Sequence, residues 1–364
     1  MSINKKQVYI GVMSGTSLDG VDIALCEIND TSCALLHSHE YSFPLDLKKD
    51  VLEAIATPLT LLSLGVLDHR LGTLFANSIN TFLLAFNINR EDITAIGLHG
   101  QTLWHSPNGD TPFSMQLGDA NIVASKTQIS TIADFRRMDI ANGGQGAPFA
   151  PAFHKFLFSH LEENVAVLNI GGMANITILR DKVLGWDSGC GNVLLDCWMS
   201  QTQLKPYDKD GEFALSGKLS KALLALMLND EYFKKSAPKS TGREYFNALW
   251  LEEKLTDFSH LNEQDVQRTL LELTALSISN DLKERDISTL IVCGGGAKNT
   301  FLMQRLKELN TCVLKCSDEL GINSDALEAM AFAWFAYKRT HKEEVDLCSI
   351  TGAIKASQLG AIYG

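Results

Sequence analysis

The stretch VYIGVMSGTSLDGVDIAL, residues 8–25, decides how this chain is read. Both of its ends are apolar and β-prone, at 8–13 and again at 21–28, which predicts two strands. Between them Ser14, Gly15, Thr16, Ser17, Asp19 and Gly20 make a loop of small residues and hydroxyls. Glycines let backbone N–H groups turn toward an anion and hydroxyls add donors, so such a nest suits phosphate. Asp19 and Asp22 could hold a hydrated Mg²⁺ beside it. An ordinary hairpin with a soluble tip reads the same way. Related loops elsewhere in the chain separate the two readings.

Such loops recur. VAVLNIGGMANITIL (165–179) is again strand, glycine turn, strand, with Asn169, Gly171, Gly172 and Asn175 in the turn. Two such units about one domain apart suggest a duplicated architecture, each half offering a phosphate loop to a shared cleft. STLIVCGGGAKNTFLMQRL (288–306) is strand, triple glycine, helix. Gly294, Gly295 and Gly296 exceed what packing needs, and they let a flat or charged ligand lie directly on backbone. WDSGCGNVLLDCWMSQ (186–201) sets Asp187 ahead of Gly189, Gly191 and Asn192 and then an amphipathic helix. The free N–H groups of that helix start can meet an anion. An acid just outside a phosphate site is poorly placed for affinity, which points to a catalytic or metal-linked role. N-capping by Asp187 or Ser188 is the simpler alternative.

The remaining segments fit an α/β protein. Residues 32–43 read as a third strand, 47–56 and 67–86 as helices, and 93–98 as a buried strand ending in His99, Gly100, Gln101 and Thr102. Polar residues delivered at a strand's C-terminal end commonly build sites in such sheets. Asp119 or Asn121 stands near a helix start. A strand ends at Asp134, ahead of the basic pair Arg136–Arg137. ANGGQGAPFAP (141–151) packs three glycines and two prolines into eleven residues, a loop where the chain is expected to cross between domains. Lys239 and Arg243 in PKSTGREYFN (238–247) are candidate anion donors. Helices are expected at 220–228, 265–282 and 324–339, the last carrying Asp325 and Glu328, acids that could touch sugar hydroxyls.

Composition narrows the classes of function. A chain of 364 residues favours two domains. A formal net charge of −11 without a basic run argues against nucleic acid and an anionic membrane surface as partners. No apolar run reaches the roughly 20 residues that span a bilayer. The eight cysteines show no zinc-like spacing and sit mostly in apolar runs, as reduced core thiols of a cytoplasmic protein do. Walker A, G-x-G-x-x-G after a strand, H-E-x-x-H and G-x-S-x-G are all absent from the sequence.

Three glycine loops after strands, split between two halves, resemble the actin-like ATPase superfamily of sugar kinases and heat-shock chaperones. The match narrows along the whole chain: GVMSGTSLDGVD (11–22), GLHGQT (97–102), GDAN (118–121), ADFR (133–136), GGQGAP (143–148), NIGGMANIT (169–177), PKSTGRE (238–244) and GGGAKN (294–299). In that order they resemble the anhydro-N-acetylmuramic acid kinase family. One departure stands out: the family's D-T-G-P-G-N is here Asp187, Ser188, Gly189, Cys190, Gly191, Asn192. Serine keeps the hydroxyl, whereas losing proline frees an N–H and loosens φ, so a less rigid loop is expected.

The resemblance implies a two-domain actin-like α/β fold with a central cleft that closes on its ligands. The first domain would comprise 1–132 with 342–364, and the second 133–341. It implies a bacterial cytoplasmic enzyme of cell-wall recycling. Such an enzyme uses ATP and Mg²⁺ to convert 1,6-anhydro-N-acetylmuramic acid into N-acetylmuramic acid 6-phosphate, opening the anhydro ring with water. Asp187 would be the base. ATP would lie on Gly15, Thr16, Ser17, Leu18, Asp19, Gly20, Val21 and Asp22, on Gly171 and Gly172, and on Gly294, Gly295, Gly296 and Asn299. Asp19 would reach the metal through water. Sugar candidates are His99, Gln101, Asp119, Asn121, Arg136 and Glu328, and family members often form homodimers. Another small-molecule kinase, a nucleotide-driven conformational switch and a non-catalytic sugar-binding regulator are the rivals. The chain has no separate peptide-binding domain after Tyr337, which counts against the switch, and Asp187 and Asp19 count against the regulator.

Overall fold

The computed structural model describes residues 7–15, 18–161, 164–180, 182–237, 239–243 and 245–364. Thr16 and Ser17 of the first loop, and Pro238 and Glu244 of the PKSTGRE segment, lie outside them. β1 (Gln7–Met13) and β2 (Gly20–Ile28) form the expected antiparallel hairpin, with Met13 opposite Asp22. β3 (Cys33–Ser42) adds to β2. After α1 (Leu45–Ala56) and α2 (Leu61–Ala85), β4 (Ile93–Leu98) returns parallel to β1 with Gly97 beside Gly11. β5 (Gln101–Ser106) and β6 (Phe113–Leu117) make a separate hairpin. Then come α3 (Ala120–Thr127), β7 (Thr131–Ala133, parallel to β4), α4 (Phe135–Ala141) and α5 (Ala150–Leu157).

β8 (Val165–Ile170) and β9 (Met173–Leu179) are the second hairpin, extended by β10 (Leu184–Cys190). A helical series follows: α6 (Val193–Gln203), α7 (Glu212–Ser216), α8 (Lys221–Leu228), α9 (Glu231–Lys234), α10 (Ala248–Leu255) and α11 (Glu263–Leu282). β11 (Thr289–Cys293) runs parallel to β8, and β12 (Val313–Cys316) parallel to β11 after α12 (Thr300–Leu309). The chain ends with α13 (Leu327–Thr340), α14 (Cys348–Thr351) and β13 (Ala361–Tyr363), which pairs antiparallel with β7.

The two main sheets share one order. β3-β2-β1-β4-β7 in the first matches β10-β9-β8-β11-β12 in the second, the first three strands antiparallel and the last two parallel. This duplicated sheet is the actin-like fold, and it recurs although the two hairpins share little sequence. The chain accordingly divides into two compact units, Met1–Ser159 with Ala326–Gly364, and His160–Asp325.

Both divisions differ from the expected crossings after residues 132 and 341, and the reason lies in two glycines. Alternation sends Ile10 and Val12 into the apolar cluster with Leu71, Phe75, Ile79 and Phe82 of α2, and turns Gly11 to the other face. There α13 lies directly on the sheet. A Cβ on Gly11 would stand 1.7 Å from the Ala329 carbonyl oxygen, and one on Gly97 2.0 Å from that of Phe332. α5 joins it through Phe153, whose ring is 5.8 Å from that of Trp334. Both α13 and the 133–159 segment therefore belong with β1. Apolar periodicity marks a buried helix without saying which sheet it covers. Among the described residues no helix is long and apolar enough to cross a membrane.

Candidate active site

In the first unit the loop after β1 is held from below. Ser14 is buried and donates from Oγ to Gln101 Oε1 at 2.7 Å and to the Gly20 carbonyl at 3.3 Å. Gln101 returns a bond from Nε2 to the Gly15 carbonyl at 3.4 Å. Leu18 is buried and sits in the left-handed region at φ 54°, a conformation that a branched residue keeps only where its surroundings enforce it. Asp19 points outward, 71% exposed, 3.2 Å from Lys48 Nζ. Val21 and Asp22 lie on β2, where Asp22 is half-buried.

Beside this loop, at the C-terminal ends of β4 and β7, lies a cavity of about 190 Å³. His99, Asp119, Asn121, Asp68, Asp134 and Arg137 contribute its polar wall. Asp119 caps α3 by accepting from the Asn121 N–H at 2.8 Å, as the sequence suggested. Asp68 of α2 accepts from the Gly118 N–H at 2.7 Å. His99 is buried, and its Nε2 faces the guanidinium of Arg136, with Nη2 at 2.9 Å and Nε at 3.2 Å. Arg136 also donates from Nη1 to the Gly146 carbonyl at 2.6 Å, which ties down the glycine-rich loop. Burial lowers the Arg136 pKa to about 10, against the charges of Glu328 and Asp139. Burial, then the Arg136 charge, holds the His99 pKa well below the usual histidine range. Glu328 is exposed in the first turn of α13. Asp325 precedes that helix and pairs with Lys298 at 2.5 Å, so the two acids do not share a helix face.

In the second unit Asp187 sits on β10, opposite Asn175. Its Oδ2 accepts from Ser240 Oγ at 2.9 Å and from the Thr241 N–H at 3.0 Å. Its backbone is pinned as well, the N–H bonding the Lys239 carbonyl at 2.9 Å and the carbonyl accepting from Tyr232 Oη at 2.7 Å. The carboxylate is thus not an N-cap. Ser188 Oγ and Thr241 Oγ1 are buried beside it with no hydrogen-bond partner among the described residues. Orphaned hydroxyls next to a held carboxylate are what a polar ligand would satisfy.

The glycines divide into two kinds. Gly191, Gly294 and Gly296 serve close packing: a Cβ would meet the Gly171 carbonyl oxygen at 2.4 Å, Asn169 Oδ1 at 2.3 Å and Ile170 Cγ2 at 2.3 Å. Gly171, Gly172 and Gly295 are open, with no atom closer than 3.8, 3.5 and 4.0 Å to such a Cβ. The neighbour of Gly172 is the exposed guanidinium of Arg243. Open glycine backbone beside a cation suits a phosphate. The start of α6 is occupied differently from expectation, since the N–H groups of Asn192 and Val193 donate to the Gly171 and Gly172 carbonyls at 2.8 and 3.1 Å. The hairpin turn caps the helix. Asn299 caps α12, accepting from the Leu302 N–H at 3.0 Å.

Two further expectations change. Lys239 is buried, 3.2 Å from Asp281 Oδ1, and so is committed to an ion pair rather than turned to an anion. The loop around Cys190 is braced despite the missing proline, because Thr274 Oγ1 of α11 donates to the Cys190 and Gly191 carbonyls at 3.2 and 2.9 Å. Burial pushes the Cys190 thiol up to about 12, which makes it inert. Ser240 and Thr241, which hold the carboxylate, are not among the residues the sequence marks, since the cations Lys239 and Arg243 beside them carry the stronger signal. A hydroxyl pair next to a glycine was the available signal. Nothing local marked Asp68, which lies mid-helix.

A duplicated sheet whose loops offer open glycine backbone and one fixed carboxylate defines the class: a phosphotransferase built on the actin-like fold. Comparison with known proteins narrows this. Residues 7–364 match the family model described as anhydro-N-acetylmuramic acid kinase. Proteins of that name are similar over nearly their full length. The one from Sulfurimonas denitrificans is 53% identical, over 98% of this chain and 99% of its own. That from Sulfurovum sp. is 54% identical over the same shares, and that from Vibrio cholerae 48% over 99% of each. The chain belongs to the anhydro-N-acetylmuramic acid kinase family. It is an ATP-using kinase with a small sugar substrate.

Proposed function

We propose that the protein converts 1,6-anhydro-N-acetylmuramic acid, water and ATP into N-acetylmuramic acid 6-phosphate and ADP, as a cytoplasmic step of cell-wall recycling. The water oxygen bonds to C1, the C1–O6 bond breaks, and O6 takes the γ-phosphoryl group. Water is a poor nucleophile unless a base removes its proton as the bond forms. Asp187 is that base. The observation that carries this role is its carboxylate, fixed through Oδ2 by Ser240 and the Thr241 N–H beside open glycine backbone. O6 becomes nucleophilic as it leaves C1, so the phosphoryl step needs no second base.

The nucleotide is expected along Gly15 to Asp22, Gly171, Gly172 and Gly294 to Gly296, and the sugar at His99, Asp119, Asn121 and Glu328. A bound Mg²⁺ would supply neutralisation of charge on the phosphates. The exposed Asp19 carboxylate fits a water-mediated hold on such an ion. The test is mass spectrometry of products from ATP with anhydro-N-acetylmuramic acid and a panel of other sugars. Phosphorylation of the anhydro sugar alone is expected; equal turnover of ordinary hexoses would point to a different sugar kinase.

A further inference from the structure

Arg136 and His99 form a buried pair to which the steps of water attack and phosphoryl transfer assign no part. The guanidinium places two nitrogens, Nη2 and Nε, at 2.9 and 3.2 Å from His99 Nε2. A guanidinium has donors only and does not lose its proton in proteins, so Nε2 must offer a lone pair. The proton of the neutral ring is therefore on Nδ1. That atom is buried and has no hydrogen-bond partner among the described residues. The ring lines the polar cavity of the first unit. Arg136 itself does not line that cavity; it is held between His99 and the Gly146 carbonyl, with its guanidinium 5.5 Å from the Phe149 ring centre.

We propose that Arg136 is a positioning residue rather than a sugar contact: it fixes His99 as the neutral ring protonated on Nδ1, an unspent donor for an oxygen of the bound substrate. This rests on reading the first unit as the sugar-binding side of the kinase. The electrostatics of the ring agree with it on balance. Backbone groups of Gly100 and Ser14 raise the ring's pKa, but they act against the larger lowering by burial. Burial and the Arg136 charge together keep the ring from taking a second proton, which would have to displace the guanidinium. The other charged groups around the pair are Asp139 of α4 and Glu328 of α13, which act on Arg136, together with His105 of β5. Asp68 of α2, Asp119 ahead of α3, and Asp134 and Arg137 line the cavity. A carboxylate facing His99 Nε2 would have favoured the charged ring. A guanidinium excludes it.

The test begins without substrate. ¹⁵N-histidine labelling of the wild type, with the His99 signal assigned by its loss in His99→Gln, reads the tautomer directly. The expected spectrum has a protonated Nδ1 and an unprotonated Nε2, and it stays so below the pH at which an ordinary histidine takes its second proton. In Arg136→Gln the ring should titrate at a higher pH than in the wild type. A wild-type His99 that carries its proton on Nε2, or is doubly protonated, overturns the proposal whatever the enzyme's substrate is. Kinetics supply the second arm. kcat/KM of Arg136→Gln should fall about tenfold per pH unit below the new titration, while that of His99→Gln shows no such limb. The double variant should match His99→Gln within about twofold, because one residue acts through the other. Multiplicative losses in the double variant would contradict the proposal, and a sugar-binding role for Arg136 on its own would replace it.

Discussion

Asp187 is the residue on which most of the chemistry rests, and its setting makes a sharp expectation. General-base catalysis is typically worth ~10² to 10⁴-fold. Asp187→Asn keeps the size of the side chain and can still accept from Ser240, so kcat should drop by at least that lower figure while ATP affinity stays near wild type. Steady-state turnover with equilibrium nucleotide binding checks both halves, and normal turnover would remove Asp187 from the mechanism. Ser240 donates one of the bonds to Oδ2. Ser240→Ala leaves the Thr241 N–H in place and should cost less, on the order of 10-fold in kcat with KM for ATP unchanged, as expected when one charge-assisted hydrogen bond is lost and a second still holds the carboxylate. A loss as large as that of Asp187→Asn would mean that Ser240 has a direct role.

At the scale of elements, the contact of α13 with β1 and β4 is the joint that makes the first unit whole. Gly97→Ala would put a methyl against the Phe332 carbonyl, where backbone has to move. Overpacking of this kind costs about 1–3 kcal/mol, so the thermal midpoint should fall by several degrees; an unchanged midpoint would mean that α13 is not seated as described. The same joint explains what the sequence could and could not say. Hairpins announced themselves through alternation and glycine turns, so β1–β2 and β8–β9 were legible, as was the recurrence of the pattern. Helices with a strong apolar stripe were legible too, although α2 begins at Leu61 because Thr60 caps it, a start its exposed leucines disguise. β10 was hidden because its glycines and Asp187 look like loop. Its ladder to β9 is a non-local fact, as are the choice of sheet for α13, the burial of Lys239 and the pairing of Arg136 with His99. Residue types at the site could be read locally. Their partners could not.

The whole molecule should be sensitive to mild acid. His154 is buried and its pKa is lowered by that burial to about 3, and His99 is depressed by burial and by Arg136. Unfolded histidines take a proton near pH 6.5. Below that pH the unfolded chain binds more protons than the folded one, so stability is lost as pH falls from about 6.5 toward the folded values. The slope is up to about 1.4 kcal/mol per pH unit for each histidine. Asp134 and Asp139, whose carboxyls burial raises, act in the opposite sense closer to pH 4. Denaturant titrations between pH 6.5 and 5 therefore isolate the histidines, and a flat profile there would exclude them as the cause. The central claim is that one enzyme couples water attack at C1 to phosphoryl transfer at O6. Running the reaction in ¹⁸O-water and weighing the sugar phosphate tests it most directly. The label is predicted at C1 of N-acetylmuramic acid 6-phosphate, with none in the phosphate; label in the phosphate, or an unlabelled product that retains the anhydro ring, would contradict it.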